Sequence, residues 1–215
     1  MFVRARAGVS TGTGEAHSAL IKAKGTFWSN WSYICVDHAK VARRERDALV
    51  AGWAGTSHDA ERMLAEMNAS LVAVAAAAFA LEAFHADIAP SLGREADARV
   101  GRGKARGYIL ATFREAMPAA GRWQRDIEWL FKARDAEVHF VGEFAPLVRH
   151  PAIPTNVALE TVTFSVEAAE RAVDLLIRFW THLFQGRTVD RLQSWVSQRD
   201  SVLLPFLEYA AQPAA

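Results

Sequence analysis

Between residues 64 and 88, core-type side chains recur in steps of three and four: Leu64, Met67, Leu71, Val74, Ala78, Leu81, His85 and Ile88. Such spacing lays one face of a long helix against another helix. The alanines in and beside the stripe let a neighbouring backbone come close. Thr56 or Ser57 can cap the start, with Asp59 and Glu61 in the first turn complementing the helix dipole, and Pro90 ends it. The apolar run Ala69–Leu81 is too short to span a bilayer and suits a buried helix. No alternation of strands with helices appears elsewhere, so the expected class is all-α.

The rest of the chain reads as further helices. One is expected from about Thr26 to Val50, broken by Gly52-Trp53-Ala54-Gly55. Others are expected over Tyr108–Met117, ended by Pro118, and from about Arg122 to Phe144. Pro146, Pro151 and Pro154 punctuate a connection, with a short extended piece at Val157–Phe164. Ser165 caps an amphipathic helix that runs to Phe184 and stops at Gly186. One or two C-terminal helices follow, interrupted by Pro205. The Gly-rich segment Gly93–Gly107 carries five basic and two acidic side chains and reads as a loop. A chain of 215 residues, 51% hydrophobic, is one sizeable domain. We expect a weakly ordered segment over 1–25, a helical bundle over 26–185 and a C-terminal helical extension over 186–215. The net charge of +1 gives no global reason to bind nucleic acid, so any such binding needs a local patch. One cysteine, Cys35, excludes an internal disulfide framework and a multi-cysteine metal site. The N-terminal stretch has no apolar core of a secretory signal, and a cytoplasmic protein is the simplest reading.

The run LFKARDAEVHF, residues 130–140, is where chemistry enters. Ile127, Leu130, Phe131, position 134, Val138 and Val141 form a core-facing stripe, and position 134 is an arginine. A guanidinium there is costly unless something negative meets it. Either a carboxylate partner sits inside the fold, or the arginine faces a site built for anions. Chance supplies the bare spacing from Arg134 to His139 roughly 0.65 times in a chain of this make-up, but roughly 0.04 times when Asp or Asn must follow the arginine. Positions four apart on a helix lie about 40° apart, and positions five apart about 140°. Asp135 and His139 therefore share a face, where the carboxylate can fix the imidazole tautomer. Arg134 points away from His139 of its own chain. A site using both at close quarters is easier to build where two copies meet about a two-fold axis.

An imidazole of ordinary pKa about 6.5 exchanges protons near neutrality, and an arginine matches phosphate oxygens. The pair suits RNA cleavage without a metal. One histidine takes the 2′-hydroxyl proton, the arginine stabilises the phosphorane-like transition state, and the second histidine protonates the leaving 5′-oxygen.

With Arg134, Asp135 and, after four spacers, His139, the chain resembles the HEPN superfamily of α-helical domains. The resemblance covers the motif and the helical layout over about residues 57–185. It implies an up-and-down helical bundle with extra N- and C-terminal helices. It also implies a homodimer with the motifs at the interface, and a metal-independent endoribonuclease of toxin or defence type with Arg134, Asp135 and His139 catalytic. No cofactor or metal is implied. The implied partners are RNA and an antitoxin or nucleotidyltransferase-like protein, with no membrane. The superfamily also holds non-catalytic members, which makes a dimeric module binding RNA, a nucleotide or a protein the alternative.

Plainer readings stand beside these. Arg134 can pair internally with Glu82, a residue read either as an ordinary flank or as a supporting partner of the site. His85 reads as a core or interface histidine. Arg102, Lys104 and Arg106 can contact RNA phosphates or belong to a solvated loop. The seven tryptophans, at helical spacing, read as core. The scattered histidines show no metal-ligand spacing.

Overall fold

The computed structural model describes residues 6–8, 18–20, 27–94, 102–117, 123–138, 146–185, 190, 192 and 200–211. Their architecture is all-α with two very short antiparallel hairpins. The first pairs β1 (Arg6–Gly8) with β2 (Ser18–Leu20). The rest of the N-terminal segment 1–25, expected to be weakly ordered, lies outside the described residues.

Helix α1 (Phe27–Gly52) and helix α2 (Ser57–Ile88) form an antiparallel pair. Early residues of α1 meet late residues of α2, as Trp28 meets Phe84 and Trp31 meets Phe79. Gly55 turns the chain between them at φ 73°, a left-handed conformation that a side chain would strain. Thr56 then starts α2 with a reciprocal cap. Its hydroxyl accepts from the Asp59 amide at 3.4 Å, and the Asp59 carboxylate accepts from the Thr56 amide at 2.8 Å. The backbone amides of Thr56 and Ala54, both donating to the Asp59 carboxylate, hold it below its ordinary value.

The expected stripe on α2 holds from Val74 to Ile88, all buried, but not before it. Leu64 is 54% exposed, and in that half the buried residues are Asp59, Glu66, Ala69, Ser70 and Ala73. The reason lies in α1, whose Arg46 is buried and requires Glu66 to turn inward. α2 is long and apolar enough to cross a membrane by length and composition, although its Ala69–Leu81 run alone is not. Its inner surface is covered by protein, since Ala73, Ala77, Ala80, Leu81 and Phe84 are fully buried.

Pro90 ends α2 as expected, inside a short 3-10 turn at Ala89–Leu92. Helix α3 spans Arg102–Ala116 and so begins within the segment read as a loop. Glycine costs a helix interior about 1 kcal/mol, which is why Gly103 and Gly107 suggested a break. Burial of Ile109, Thr112, Phe113 and Ala116 offsets that cost. Helix α4 (Gln124–Val138) carries the Arg134 stripe, and the expected continuation to Phe144 lies outside the described residues.

The proline-punctuated connection forms a second hairpin, β3 (Val148–Arg149) with β4 (Asn156–Val157). The extended piece expected over 157–164 is instead a short helix, α5 (Leu159–Thr163), in which the Thr163 hydroxyl donates to the Leu159 carbonyl at 2.9 Å. Alternating Thr and Val imitated a strand there. Helix α6 (Val166–Phe184) follows Ser165, which holds the N-cap position without the side-chain capping bond expected of it, while the expected stop at Gly186 lies outside the described residues.

Helix α7 (Asp200–Ala210) runs straight through Pro205. Leu203 and Phe206, both fully buried, hold it on either side of the ring. Leu203 and Phe206 thus bring α7 into the same core as the preceding helices. Tyr33 of α1 packs on Phe206 and Tyr209 of α7.

Side-chain pairings give the directions. α6 runs opposite to α1, because Arg46 meets Glu167 while Trp28 meets Trp180. α4 runs opposite to α6, because Asp126 meets Arg171 while Trp123 meets His182. The long helices thus alternate in direction around one aromatic centre. Trp28, Phe84, Phe113, Phe179 and Trp180 are each at most 1% exposed and stack at 4.9 to 6.4 Å between ring centres. Such pairs add about 0.5–1.5 kcal/mol each beyond the area they bury. The Trp180 indole N–H donates to the Ser32 hydroxyl at 3.1 Å, which in turn donates to the Trp28 carbonyl at 2.8 Å. The core role expected of the tryptophans applies to Trp28, Trp123 and Trp180.

Candidate functional site

Arg134 lies one helical turn beyond the buried Leu130 and Phe131. Those two residues fix α4 against the core and bring position 134 to the edge of α2. There Arg134 Nη1 donates to Glu82 Oε1 at 2.6 Å. Its other edge faces Asp135, whose Oδ1 accepts from Nε at 3.0 Å and lies 2.9 Å from Nη2. The Phe131 ring sits beneath the guanidinium at 5.2 Å. The side chains are 16% exposed at Arg134, 32% at Glu82 and 52% at Asp135, so the cluster opens to solvent at one side. Partial burial disfavours the Arg134 charge, but hydrogen bonds and charge from Glu82 and Asp135 outweigh it and hold the guanidinium above its usual range.

An arginine has five N–H donors, and these contacts leave donors over among the described residues. Glu82 pairs with Arg134, the internal pairing that the plainer reading expects. Asp135 turns to Arg134. Its expected companion on the same face, His139, lies outside the described residues. Arg102, Lys104 and Arg106 fall in the opening turns of α3 rather than in a loop, and their side chains lie outside the described set. His85 is a core histidine, 5% exposed, with Nε2 3.1 Å from the Thr112 hydroxyl.

Three other polar features escaped the sequence reading. The first is a sealed counterpart at the other end of α2. Arg46 Nε and Nη2 donate to the two oxygens of Glu66 at 2.8 and 2.6 Å, and Nη1 donates to Glu167 at 2.8 Å. Glu66 also accepts the Val166 amide at 3.0 Å, which ties the start of α6 to α2. Arg46 and Glu66 are 4% and 3% exposed. Burial disfavours the Arg46 charge, yet the Glu66 and Glu167 contacts still raise its pKa. The signal was present, since Arg46 continues the buried spacing of Cys35, Ala39 and Ala42, but it was hidden in the charged run Arg43–Arg46.

The second joins α4 to α6. Asp126 accepts from Arg171 at 2.8 Å and from Arg178 at 3.1 Å, and Arg171 lies over the Trp129 ring at 4.1 Å. Burial pushes the Asp126 pKa up, but the two arginines outweigh it and lower it. The third is a groove of about 260 Å³ between α1 and α6. It is bordered by Lys40 and Arg43 on one side and Glu170 and Asp174 on the other. None of its lining residues belongs to the Arg134 cluster. Among the described residues, no group of three or more His, Cys, Asp or Glu could hold a metal ion.

Compared with family models, with curated proteins and with solved structures, the chain matches none.

Proposed function

We propose that this helical bundle is a metal-independent endoribonuclease of the HEPN type, acting as a homodimer, with Arg134 and His139 as catalytic residues. The observation that carries the reading is the Arg134 guanidinium itself. It is held from α2 by Glu82 at 2.6 Å, open to solvent, with N–H donors left for a phosphate. A preset donor of this kind stabilises charge that develops on phosphate oxygens. His139 takes the proton from a 2′-hydroxyl, which attacks the adjacent phosphorus. The bond to the 5′-oxygen breaks, and the partner copy's equivalent histidine supplies that oxygen with a proton. The products are a 2′,3′-cyclic phosphate and a 5′-hydroxyl end.

The test is end-labelled RNA incubated with purified protein in excess chelator. Cleavage to cyclic-phosphate ends is expected. It should fall at least about 100-fold in His139→Ala and Arg134→Ala, with circular dichroism and oligomeric state unchanged. RNA left intact by the wild-type chain, after any co-purifying protein is stripped away, removes the enzymatic reading.

One contact favours a second reading, a non-catalytic dimeric module. Asp135 occupies the Nε–Nη2 edge of Arg134, the edge that a phosphate would grip with two hydrogen bonds. On that reading Asp135→Asn leaves RNA intact and changes only partner or RNA affinity. On the ribonuclease reading it changes the rate.

A further inference from the structure

His150 opens the turn between β3 and β4 and is buried, with 2% of its surface exposed. Its Nδ1 accepts the backbone N–H groups of Ala152 at 3.2 Å and Ile153 at 3.3 Å. Its own amide donates to the Thr155 carbonyl at 2.9 Å. Two amide hydrogens aimed at Nδ1 leave that nitrogen no room for a proton, so the neutral ring carries its hydrogen on Nε2. Nε2 is itself buried, without a hydrogen-bond partner among the described residues. The ring is the centrepiece of a strap over residues 146–157, whose Ile153 and Val157 are 5% and 8% exposed.

Three charged groups bear on the ring from the helices: Arg46 of α1, Glu66 of α2 and Glu167 of α6. Arg149, beside it on the strap, is exposed. Two carboxylates against one guanidinium would by themselves welcome an imidazolium. Both carboxylates, however, are committed to Arg46 at 2.6 to 2.8 Å, and neither makes a hydrogen bond to Nε2. A proton on Nδ1 would break both amide contacts and set a charge in a desolvated site.

We propose that the 146–157 strap is an acid-released latch: it docks only with a neutral His150, and protonation of the ring undocks it. Burial, then the Arg46 charge, lowers the His150 pKa. The sign follows. Above the ordinary value of about 6.5 the ring is neutral whether docked or free, and docking is at full strength. Below it the free ring takes a proton that the docked ring refuses. Docking therefore weakens, up to tenfold per pH unit, until the docked ring also titrates.

Amide hydrogen exchange of the ¹⁵N-labelled full-length chain at pH 7.5, 6.5 and 5.5, corrected for the intrinsic pH dependence, tests this directly. The protection of Ala152 and Ile153 is expected to fall up to about tenfold per unit below about pH 6.5, while Ala76 and Ala77 in the core hold theirs. His150→Asn keeps a short acceptor for the same two amides without titrating. Its protection is expected to stay flat. Flat protection in the wild-type chain, or an equal fall in His150→Asn, overturns the latch. Should the variant fail to fold, ring ¹⁵N shifts of the wild-type chain decide. Protonated Nε2 and bare Nδ1 at pH 7.5, with titration below 6.5 coupled to amide loss, support the latch. Ordinary titration with the amides still protected refutes it.

Discussion

Two arginines reach the same helix from opposite sides, and each finds a glutamate there. Arg46 grips both oxygens of Glu66 inside the bundle, at 4% and 3% exposure. Arg134 touches Glu82 with one nitrogen at the rim, at 16% and 32% exposure, and shares its remaining edge with a neighbour on its own helix. Each pairing closes to 2.6 Å, so distance does not separate them. What separates them is how much water each has lost and how many donors each has left. A desolvated guanidinium held from three sides by carboxylate oxygens serves to hold helices together. One at the rim, 16% exposed and with donors over among the described residues, can also meet something from outside.

The widest gap between the two sites is expected in stability. Arg46→Ala strands the Glu66 carboxylate in the core and should cost about 3–5 kcal/mol in urea unfolding. A loss under about 1 kcal/mol would mean that water already reaches that site. Arg134→Ala should cost only about 0.5–1 kcal/mol, discounted for solvent access. A cost near that of Arg46→Ala would make both arginines structural. The smallest effect concerns the outer arm of the sealed site. Glu167 is held below its ordinary carboxyl value: burial raises it, but hydrogen bonds from Ser165 and Arg46 outweigh that. Its contribution is complete above about pH 4.5 and fades as acid titrates it. With the side chain 56% exposed, the difference in unfolding midpoint between wild type and Glu167→Gln should shrink from pH 5.5 to pH 3 by no more than a few tenths of a kcal/mol. A difference that stays constant with pH would show that Arg46 does not depend on this arm.

The asymmetry explains what could be read from the residues. Arg134 stood out because it interrupts an apolar stripe, and a single misplaced charge on a clean pattern is conspicuous. Arg46 did not, because Arg43, Arg44 and Glu45 precede it and the run looks like an ordinary wet surface. Helix starts and stops at Thr56 and Pro90 were legible because capping and ring chemistry are local. The start of α3 and the passage of α7 through Pro205 were not. There, distant apolar contacts at Phe113, Leu203 and Phe206 override glycine and proline penalties. His150 looked like one scattered histidine among several, because only the folded turn brings two amides onto its ring.

At about 100° per residue, the stretch from Glu66 to Glu82 leaves the two carboxylates roughly 160° apart around α2 and about 24 Å apart along it. The helix is therefore pinned like an axle through two bearings set at opposite ends. Any spin about its axis, or a slip by a single residue, would dislodge both arginines together. A rearrangement that keeps both pairs intact leaves α2 still and is carried by what surrounds it.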